Sequence, residues 1–522
     1  MPENSSIGHR IGNRIENSGD GRFSPDCADS SSECNESFPE VSAELIHEAM
    51  SLAEEAFRQY CRKSGVQKGF FLEKIAAHLS QRKEEIISVC SVETALPVAR
   101  LEGEMQRTIN QINLFAQMLR EGSWVIATIS TSGKDNKPDV RKMLQPIGPV
   151  AVFSAGNFPL AFSVAGGDTI SALAAGCTVV VKAHPGHPKT SEIVADLIIE
   201  SAIDSEMPEG VFSMLHGEKP ETGRDIVSHS LLKAVGFTGS LKTGREIFRI
   251  ASEREEPIPV FAEMGSSNPV FILPGAMKDR AMEIAEGLVA SVLLGVGQFC
   301  TCPGLVFLPA VKETDQFIEH CVRLFSASQA GKMLSTRTCR NYQSGVVMTA
   351  GISGIDILAT GKPAAGDKMG VACLFEATAD AFFESPEMEE EVFGPATILV
   401  TTDSNPQFYK LAEKLNGHLS ISIHGNADDQ LAFRALIPIV AQKAGRIVWN
   451  GFPTGVEVSP AMHHGGPFPA TTSQFHTSVG LHAIQRFAAP VCYQNFPQHL
   501  LPPELQDTNP LAIARKINEI QE

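Results

Sequence analysis

Two cysteines, Cys300 and Cys302, lie in the stretch GQFCTCPG, inside a run that has no charged residue from 287 to 311. A thiolate can attack a carbonyl carbon, bind a metal ion or form a disulfide, and a buried thiol can also be inert core. The run is long enough to span a bilayer, but it contains Gln298, two prolines and four glycines. These residues favour a buried segment beside a site over a membrane span, and they leave the role of the thiols open.

Other residues with chemical potential lie next to apolar, strand-like stretches. Asn157 occurs in VFSAGNFP, Glu263 in FAEMGSSNP, and Gly239, Ser240 and Gly244 in FTGSLKTG. Ligands of parallel sheets gather beyond the carboxyl ends of the strands, which is where these residues are expected. Taken singly, each has an ordinary explanation as a turn, a cap or a surface group, and the glycine motif lacks the common GxGxxG form.

The composition limits the class of protein. The chain has 522 residues, a formal charge of −17 and a sequence pI of about 5.4, which argues against a nucleic-acid-binding protein. Eleven cysteines without regular spacing argue against a secreted disulfide scaffold. The N-terminus lacks a basic region followed by an apolar one, so no secretory signal is evident. We therefore expect a soluble, cytoplasmic protein with neither nucleic acid nor membrane as its partner.

The elements that must position these residues follow from periodicity. Residues 1–38 are polar and predict a disordered extension. Helical spacing predicts a helix capped by Ser42, and further helices at about 70–89 and 98–119. A hairpin is predicted at 123–144, and a helix is predicted in the tail near 510–521. Apolar, β-rich runs between helix-length segments predict βαβ units with strands at 148–154, 177–183, 232–239 and 268–274.

Six motifs taken together resemble the aldehyde dehydrogenase family, and they occur in the family's order from about residue 42 to about residue 495. The resemblance implies an α/β fold with a Rossmann-like cofactor domain, an α/β catalytic domain and a β-hairpin flap for oligomerisation. The exposed edges of such a hairpin favour a homodimer or a homotetramer. The motifs are AGNFPLAFS, VVVKAHPGHP, VGFTGSLKTG, FAEMGSSNPVF, GQFCTCPG and EEEVFGP.

Composition and the resemblance together predict the division of the chain. The predicted units are a disordered extension (1–38), the NAD(P)-binding domain (39–122 and 146–262), an oligomerisation element (123–145 and 482–495), the catalytic domain (263–450), a return to the cofactor domain (451–481) and a C-terminal tail (496–522).

The resemblance also implies the roles of three residues. Cys300, preceded by Gly-Gln-X, matches the family's nucleophile, which forms a thiohemiacetal and then a thioester. Asn157 and the Cys300 backbone N–H match the donors to the oxyanion. Glu263 matches the general base that activates the hydrolytic water. Cys302 is expected to be a bystander, and no metal is expected.

The cofactor implied is NADP, with NAD as an alternative. NAD-preferring relatives often carry a glutamate at the position of Pro185, and without that carboxylate a 2′-phosphate should be admitted. The residues expected to bind the cofactor are Ser154, Lys182, Gly223, Gly239, Ser240, Gly244, Glu391 and Phe393.

Four longer stretches narrow the resemblance: ETALPVARLEGE, PIPVFAEMGSSNPVFILPGA, NGFPTGVEVSPAMHHGGPFPATT and RFAAPVCYQNFP. By these stretches the chain most resembles the members of the family that oxidise 2,5-dioxovalerate to 2-oxoglutarate. Such a substrate needs an anchor for its carboxylate, and Arg100 and Arg107 are candidates, as is the pair His463-His464. Phe158 and Phe468 are candidates for the pocket wall. Phenylalanines could equally line a tunnel for a longer aldehyde, so an NADP-dependent fatty or broad-range aldehyde dehydrogenase is the alternative.

Two rival classes remain open on the resemblance alone. A CoA-acylating dehydrogenase normally lacks the general-base glutamate, whereas Glu263 is present here. A catalytically silent binding protein on the same fold would be expected to lose Cys300, Glu263 or Asn157, and all three are present. The sequence therefore favours an active dehydrogenase over both rivals.

Overall fold

The first part of the chain alternates strands with helices. The computed structural model describes residues 7–26, 36–131, 137–518 and the backbone of 520–521. The strands of this part are β1 (His9–Ile11), β2 (Arg14–Glu16), β3 (Arg22–Phe23), β4 (Phe38–Pro39), β5 (Thr128–Ser130), β6 (Val140–Pro146), β7 (Val150–Phe153), β8 (Val179–Lys182), β9 (Phe212–Leu215), β10 (Ala234–Thr238) and β11 (Val260–Glu263). The helices are α1 (Ala43–Tyr60), α2 (Gly65–Gln81), α3 (Lys83–Thr94), α4 (Val98–Glu121), α5 (Gly167–Ala175), α6 (Pro188–Asp204), α7 (Pro220–Ser228) and α8 (Leu241–Ser252).

The second part of the chain repeats this alternation. Its strands are β12 (Val270–Ile272), β13 (Leu305–Leu308), β14 (Gly331–Lys332), β15 (Ile355–Thr360), β16 (Met369–Gly370), β17 (Cys373–Thr378), β18 (Ala396–Thr401), β19 (His418–His424), β20 (Ala444–Trp449), β21 (Ala488–Gln494), β22 (Lys516–Ile517) and β23 (Ile520–Gln521). Its helices are α9 (Pro274–Leu293), α10 (Glu313–Ala327), α11 (Thr336–Ala350), α12 (Ala379–Glu384), α13 (Asn405–Lys414), α14 (Ala427–Ala432) and α15 (Leu436–Val440).

Seven strands of the first part form one sheet in the order β11-β10-β7-β8-β9-β1-β2. Strands β7 to β11 run parallel, because a helix after each of β7 to β10 returns the chain to the same end of the sheet. The order reverses beside β7, where β8 lies on one side and β10 on the other. Such a reversal leaves a crevice at the carboxyl ends of the strands, which is the common ligand position in doubly wound sheets.

A second seven-stranded sheet has the order β15-β17-β18-β13-β12-β19-β20. Its strands are parallel except for β15, which lies antiparallel to β17. The side chains on the two faces of this sheet belong to two different buried apolar clusters, so both faces of the sheet are covered. The rings of Phe271 in β12 and Phe307 in β13 contact each other at a tilt of 39°, with centroids 4.7 Å apart.

The helices that precede the first sheet differ in part from the prediction. Ser42 caps α1 as predicted, because its Oγ accepts the Leu45 N–H at 3.4 Å. The single helix expected at 70–89 is two helices, α2 and α3, which meet at Arg82. The φ of Arg82 is −105°, so the backbone leaves the helical region there although the apolar periodicity continues on both sides.

The expectation that residues 1–38 are disordered is wrong for 7–26 and 36–38. Strand β1 adds to the edge of the first sheet, with Arg10 opposite Met214. The Arg10 side chain is fully buried and donates to Asp196 at 2.7 Å and to Glu192 at 3.2 Å. The polar composition misled the prediction because these charges are paired inside the fold. Residues 1–6 and 27–35 lie outside the described residues.

A third sheet has the order β21-β6-β5-β22-β23. It contains the hairpin strands β5 and β6 and, paired with β6 along its whole length, β21. The helix expected near 510–521 is wrong, because β22 lies parallel to β5 and Asn518 starts a turn to β23 with a φ of 46°. Packing of Ile513 among buried apolar side chains overrides the local helix propensity.

The uncharged run at 287–311 has the buried structure that the sequence favoured. It comprises the end of α9, a short 3₁₀ turn at Leu294–Gly297, a loop with both cysteines, and β13. Among the helices of the described residues, none is long and apolar enough to cross a membrane.

Candidate active site

The carboxyl ends of the first sheet bring several predicted residues to one edge. Ser154 follows β7, Lys182 ends β8, Gly239 follows β10 and Glu263 ends β11. The register pairs Thr238 with Glu263, Phe237 with Phe153, and Phe153 with Lys182. The ends of these four parallel strands therefore lie at about the same level. The edge therefore carries a hydroxyl, an amine, a turn glycine and a carboxylate side by side.

The loop that carries Cys300 begins with an unusual backbone. Gly295, Val296 and Gly297 have φ values of 57°, 58° and 65°, and this left-handed region is disfavoured for a β-branched residue. Gly297 also lies against the backbone of Gly394, because a Cβ there would be 2.2 Å from the Gly394 carbonyl carbon. The turn thus presses the cysteine loop onto the segment that contains Glu391.

Asn268 holds the other side of this loop. Its Nδ2 lies 2.8 Å from the Cys300 carbonyl, 3.0 Å from the Cys302 carbonyl and 2.9 Å from the Ser266 carbonyl. The side chain is fully buried, and its Oδ1 accepts the Ser420 hydroxyl at 2.8 Å. Sequence reasoning missed this positioning residue, although it stands in the quoted FAEMGSSNPVF motif.

Cys300, His464 and Glu263 meet at the centre of the site. The Cys300 Sγ lies 3.6 Å from His464 Nε2, and that nitrogen lies 2.9 Å from Glu263 Oε1. The Ser478 hydroxyl donates to Glu263 Oε2 at 2.6 Å. The thiol, imidazole and carboxylate thus contact one another directly, so we interpret them as a cluster that can transfer a proton. His464 was expected only as a carboxylate anchor, and the structure places it on the thiol instead.

Burial and charge act in opposite directions on the two titratable groups that flank this histidine. Burial raises the pKa of Cys300 well above its usual value, and the negative charge of Glu263 raises it further. Burial also acts to raise the pKa of Glu263, but the hydrogen bonds from His464 and from the Ser478 hydroxyl lower it below its usual value. Glu263 is therefore a buried carboxylate that stays ionised at neutral pH, next to a thiol that resists ionisation.

Asn157 lies beside the nucleophile loop. Its Nδ2 donates to the Gln298 carbonyl at 3.1 Å, which uses one of the two amide hydrogens. The Arg100 guanidinium donates to the Asn157 carbonyl at 2.5 Å. The Asn157 side-chain amide is thus fixed to Gln298, two residues before Cys300, and one of its hydrogens remains for another acceptor.

An aromatic and cationic wall stands next to this amide. The ring of Phe158 lies edge-on to that of Phe299, with centroids 5.3 Å apart, and to that of Phe162 at 5.5 Å. The Arg100 guanidinium lies 5.0 Å from the Phe158 ring and 4.8 Å from the Phe299 ring, and that of Arg107 lies 5.3 Å from the Phe162 ring. The wall therefore offers both apolar faces and positive charge.

The two arginines differ in how their charge is engaged. Arg100 is fixed by the Asn157 carbonyl and by two rings. Within the described residues, the hydrogen bond of the Arg107 side chain runs from Nε to the Val456 carbonyl at 3.4 Å. Burial lowers the pKa of Arg107, while the negative charges of Glu104, Cys300 and Glu263 act to raise it. Arg107 thus lies within electrostatic reach of the nucleophile.

Phe468 is not part of this wall. It is 60% exposed, whereas Phe158, Phe162 and Phe299 are partly buried. The backbone of this segment packs closely against Gly417, where a Cβ would be 2.1 Å from the Pro467 carbonyl oxygen and 2.6 Å from that of Phe468. Proximity in sequence to His464 made Phe468 a candidate, but its side chain points to the surface.

Glu391 and Phe393 lie on the segment that Gly297 touches. Both side chains are partly buried. Burial raises the pKa of Glu391 to about 7, although a backbone N–H at Ser266 acts to lower it. Gly265 lies against this carboxyl group, since a Cβ there would be 2.3 Å from Glu391 Oε2 and the Glu391 side chain would have to move. The carboxyl group is thus in direct contact with the chain that follows Glu263.

The far end of the crevice contains Lys182 and charges of both signs. Burial lowers the pKa of Lys182 to about 8, the charges of Glu40 and Glu218 act to raise it, and Arg337 acts to lower it. Both oxygens of Glu40 accept the Glu218 N–H, at 3.0 and 3.1 Å. This end could hold the ribose hydroxyls or a phosphate of a dinucleotide.

The predicted cofactor residues offer a fit for such a dinucleotide. Ser240 caps α8, whose N-terminal N–H groups favour an anion. Gly239 and Gly244 permit close packing, because a Cβ would lie 2.7 Å from the Phe237 ring and 2.7 Å from Met264. The Ser154 hydroxyl is buried without a partner among the described residues. Gly223 lies on α7, where a Cβ would stand 3.5 Å from the Phe153 ring.

Cys302 points away from the cluster. Its Sγ lies 3.9 Å from the Val292 carbonyl, within the apolar packing of α9. The nine cysteines among the described residues are free thiols, so Cys300 and Cys302 do not form a disulfide here. Burial raises the pKa of Cys302 to about 12, as it also raises that of Cys300, so the contacts of the two thiols and not their acidity distinguish them.

Comparison with known proteins supplies the class. A profile of the aldehyde dehydrogenase family matches residues 17–489. Alpha-ketoglutaric semialdehyde dehydrogenase 2 of Azospirillum brasilense is 44% identical over 474 residues, which cover 90% of each chain. Alpha-ketoglutaric semialdehyde dehydrogenase of Acinetobacter baylyi is 41% identical over 488 residues, which cover 92% of each chain.

Solved structures agree in fold. The NAD⁺ complex of an aldehyde dehydrogenase from Bacillus cereus matches with a TM-score of 0.80 and 21% identity, over 94% of this chain and 96% of that one. A 1-pyrroline-5-carboxylate dehydrogenase matches with a TM-score of 0.80 and 19% identity, over 94% and 92%.

The chain belongs to the aldehyde dehydrogenase family, and the predicted α/β fold of that family is confirmed. It is an oxidoreductase that converts aldehydes to carboxylates, and the family uses NAD or NADP for this reaction.

Proposed function

We propose that the protein oxidises 2,5-dioxovalerate to 2-oxoglutarate, with NADP as the preferred acceptor. The observation that carries the substrate is the 44% and 41% identity, over nine-tenths of the chain, to two enzymes named for α-ketoglutaric semialdehyde, which is 2,5-dioxovalerate. A guanidinium near the thiol supplies the positive charge that this keto acid requires.

In the first half of the reaction, the Cys300 thiolate attacks the aldehyde carbon and forms a thiohemiacetal. Negative charge develops on the former carbonyl oxygen. The remaining Asn157 amide hydrogen and the Cys300 backbone N–H are the donors that we assign to it. The contact between Asn157 and the Gln298 carbonyl holds the amide in place, so little reorganisation is needed when the charge appears.

A bound NAD(P) would supply the hydride acceptor that the conversion of the thiohemiacetal on Cys300 to a thioester requires. We propose that Lys182, Ser240 and the N-terminus of α8 hold the adenosine and pyrophosphate groups. Glu391 and Phe393 are assigned to the nicotinamide side. Glu263 accepts a proton from the water that cleaves the thioester, because its lowered pKa keeps it in the basic form.

Arg107 is the group that we assign to the distal carboxylate of the substrate. Arg100 is already bonded to the Asn157 carbonyl and packed between two rings. Arg107 has its terminal nitrogens outside the hydrogen bond to Val456. A charge-assisted hydrogen bond to the far end contributes about 1.5–3 kcal/mol, or roughly ten- to a hundredfold in kcat/KM.

NADP is proposed over NAD because Pro185 puts no carboxylate beside the adenosine ribose. Arg337 and Lys182 bring two positive charges to the same end of the crevice. The carboxylates of Glu40 and Glu218 also lie near Lys182, but Glu40 is engaged with the Glu218 N–H. We therefore expect a 2′-phosphate to be accepted.

We further propose a homodimer or a homotetramer in the cytoplasm. Strand β21 is the last strand of the third sheet, so one of its edges is unpaired among the described residues and is available to a second copy. Free thiols at all nine described cysteines suit a reducing compartment.

The substrate is tested by kcat/KM for 2,5-dioxovalerate, succinic semialdehyde, glutaraldehyde and decanal, followed by NADPH absorbance. The keto acid should exceed glutaraldehyde, an uncharged five-carbon aldehyde, by roughly ten- to a hundredfold, and Arg107→Ala should remove that advantage. Arg107→Ala should leave turnover of glutaraldehyde largely unchanged. A wall of phenylalanines that binds long aldehydes would instead make decanal the best substrate in the panel, and that outcome would favour the fatty aldehyde alternative.

A further inference from the structure

His464 Nε2 stands between the two reacting side chains of the site. It lies 2.9 Å from Glu263 Oε1 and 3.6 Å from Cys300 Sγ. Glu263 is ionised, so a nitrogen at 2.9 Å must carry a hydrogen, because two facing lone pairs would repel each other. In the resting state, Nε2 is therefore a donor to Glu263 and has no lone pair for the thiol proton.

The other ring nitrogen has no acceptor beside it. His464 Nδ1 is buried and has no hydrogen-bond partner among the described residues. An N–H at that position would be left buried and unpaired, which is more costly than leaving a lone pair there. The geometry therefore assigns the ring proton to Nε2, the nitrogen that faces Glu263.

We propose that His464 donates its Nε2–H hydrogen bond to whichever of Glu263 and Cys300 carries the negative charge. The proton leaves Sγ for a carboxylate oxygen of Glu263, and the electron pair of the S–H bond stays on sulfur. The Nε2–H bond then turns from Oε1 to the new thiolate. One proton moves, the ring stays neutral, and the cluster keeps a charge of −1 throughout.

The surroundings hold the ring so that this switch needs little motion. The His464 backbone N–H donates to Thr477 Oγ1 at 2.8 Å. The Ser478 hydroxyl bonds both Glu263 Oε2, at 2.6 Å, and the His464 carbonyl, at 3.1 Å. Because a contact of 3.6 Å is within hydrogen-bond range for sulfur, a small rotation of the ring is enough to change its acceptor.

Other charged and titratable groups also act on the cluster. Among the described residues, they include Glu263, Glu391, Arg107, Arg446 and His463. The carboxylates oppose a thiolate. Arg446 donates to the carbonyls of Gly455 and Pro453, and its Nε is buried without a hydrogen-bond partner among the described residues. In the described part of the chain, the nitrogen in hydrogen-bond contact with Sγ is Nε2 of His464.

The inference rests on the proposed role of Cys300 as nucleophile, and it is tested without any aldehyde turnover. The rate of Cys300 alkylation by iodoacetamide is measured from pH 6 to pH 10, with peptide mapping to separate Cys300 from the other cysteines. The variants are His464→Phe, which removes the donor, and His464→Gln, which keeps an N–H but cannot titrate. His463→Phe is the matched control on the adjacent residue.

The donor role predicts a specific pattern. His464→Phe should alkylate at neutral pH roughly ten- to a hundredfold more slowly than the parent, with its profile moved to higher pH, because the thiolate loses a bond to its charge. His464→Gln should recover most of that loss, and His463→Phe should behave as the parent.

Two results would overturn the inference. They are an unchanged profile in His464→Phe and a His464→Gln as slow as His464→Phe, since the second identifies the ring as the proton acceptor. If His464→Phe does not fold, His464→Gln is compared with the parent, and a loss of roughly ten- to a hundredfold in its alkylation rate would overturn the donor role. Normal alkylation in a protein that oxidises no aldehyde would count against the proposed function alone.

Discussion

A buried carboxylate can serve as a base at neutral pH only if its neighbours keep it ionised. Glu263 is 4% exposed, yet donors from His464 and Ser478 lower its pKa. The same negative charge raises the pKa of Cys300. At the scale of single residues, the site therefore needs a group that relieves the repulsion between thiolate and carboxylate, and this is the place that His464 occupies.

The cofactor preference is a residue-scale prediction. Pro185→Glu should lower kcat/KM for NADP relative to NAD, because a carboxylate about 4 Å from a 2′-phosphate charge costs about 4 kcal/mol at an effective dielectric constant of 20. The ratio of the two kcat/KM values in a folded variant is the measurement.

The matched control is Pro185→Gln, which makes the same backbone change without a charge. Its cofactor ratio should stay near that of the parent. Equal ratios in the Glu and Gln variants would show that position 185 does not face the 2′-position.

Residue types and motif order were enough to single out Cys300, Glu263 and Asn157 as candidates, and the structure brings all three to one place. The contacts of His464 and Asn268 could not be derived in the same way. Each acts through a backbone carbonyl or a side chain far away in sequence, as with Cys300 and His464, which are 164 positions apart. The hydrogen-bond partner of a buried imidazole or amide becomes known only from the folded structure.

At the scale of elements, the cysteine loop depends on a left-handed turn against a second segment. Gly297 has a φ of 65°, and a Cβ there would stand 2.2 Å from the Gly394 carbonyl carbon. Since the clash is with backbone, a side chain at 297 cannot be accommodated by rotating a neighbour. The two segments that carry Cys300 and Glu391 would have to separate.

Gly297→Ala should therefore lower kcat by at least roughly tenfold, because a displacement of about 1 Å at a nucleophile can cost a hundredfold. It should also lower the melting temperature, since the left-handed backbone costs an L-residue roughly 1 kcal/mol. Activity and thermal unfolding are measured on the same preparation.

Gly103→Ala is the control for this variant. Gly103 is exposed on α4 and a Cβ there meets nothing within 4 Å. Alanine should stabilise the helix by about 0.5–1 kcal/mol and leave kcat unchanged. A Gly297→Ala enzyme with parental kcat would contradict the argument that the two segments must touch.

Periodicity predicted the elements near the site better than those at the ends of the chain. Strands β7, β8 and β10 occur where apolar runs predicted them, because their alternation with helices is a local pattern. The break at Arg82 and the strand at 516–517 were missed. Both are decided by packing against distant elements, as when β22 pairs with β5 across almost 390 residues.

At the scale of the whole molecule, the site exists only where two layers meet. Glu263 ends a strand of the first sheet, Cys300 precedes a strand of the second, and His464 comes from the chain beyond β20. The N-terminal segment also joins the layers, since Asp26 accepts the Thr336 N–H at 2.6 Å and the Lys368 ammonium at 2.7 Å. Composition alone had suggested disorder there, because it cannot show such pairing.

The central claim is that Cys300 forms a covalent thioester which Glu263 then helps to hydrolyse. It is tested most directly by mixing Glu263→Gln with NADP and 2,5-dioxovalerate and mapping the adduct by mass spectrometry after one turnover. The amide cannot accept a proton from water, so the acyl group should persist on the enzyme. Cys302→Ser in the same background separates the two thiols, and Cys300→Ser is the empty control.

The account predicts one 2-oxoglutaryl group per chain on Cys300, formed with one equivalent of NADPH, unchanged by Cys302→Ser and absent in Cys300→Ser. If the proton transfer from Cys300 also needs Glu263, the adduct should form slowly but still accumulate. An adduct on Cys302, or steady turnover by Glu263→Gln without any adduct, would contradict the account.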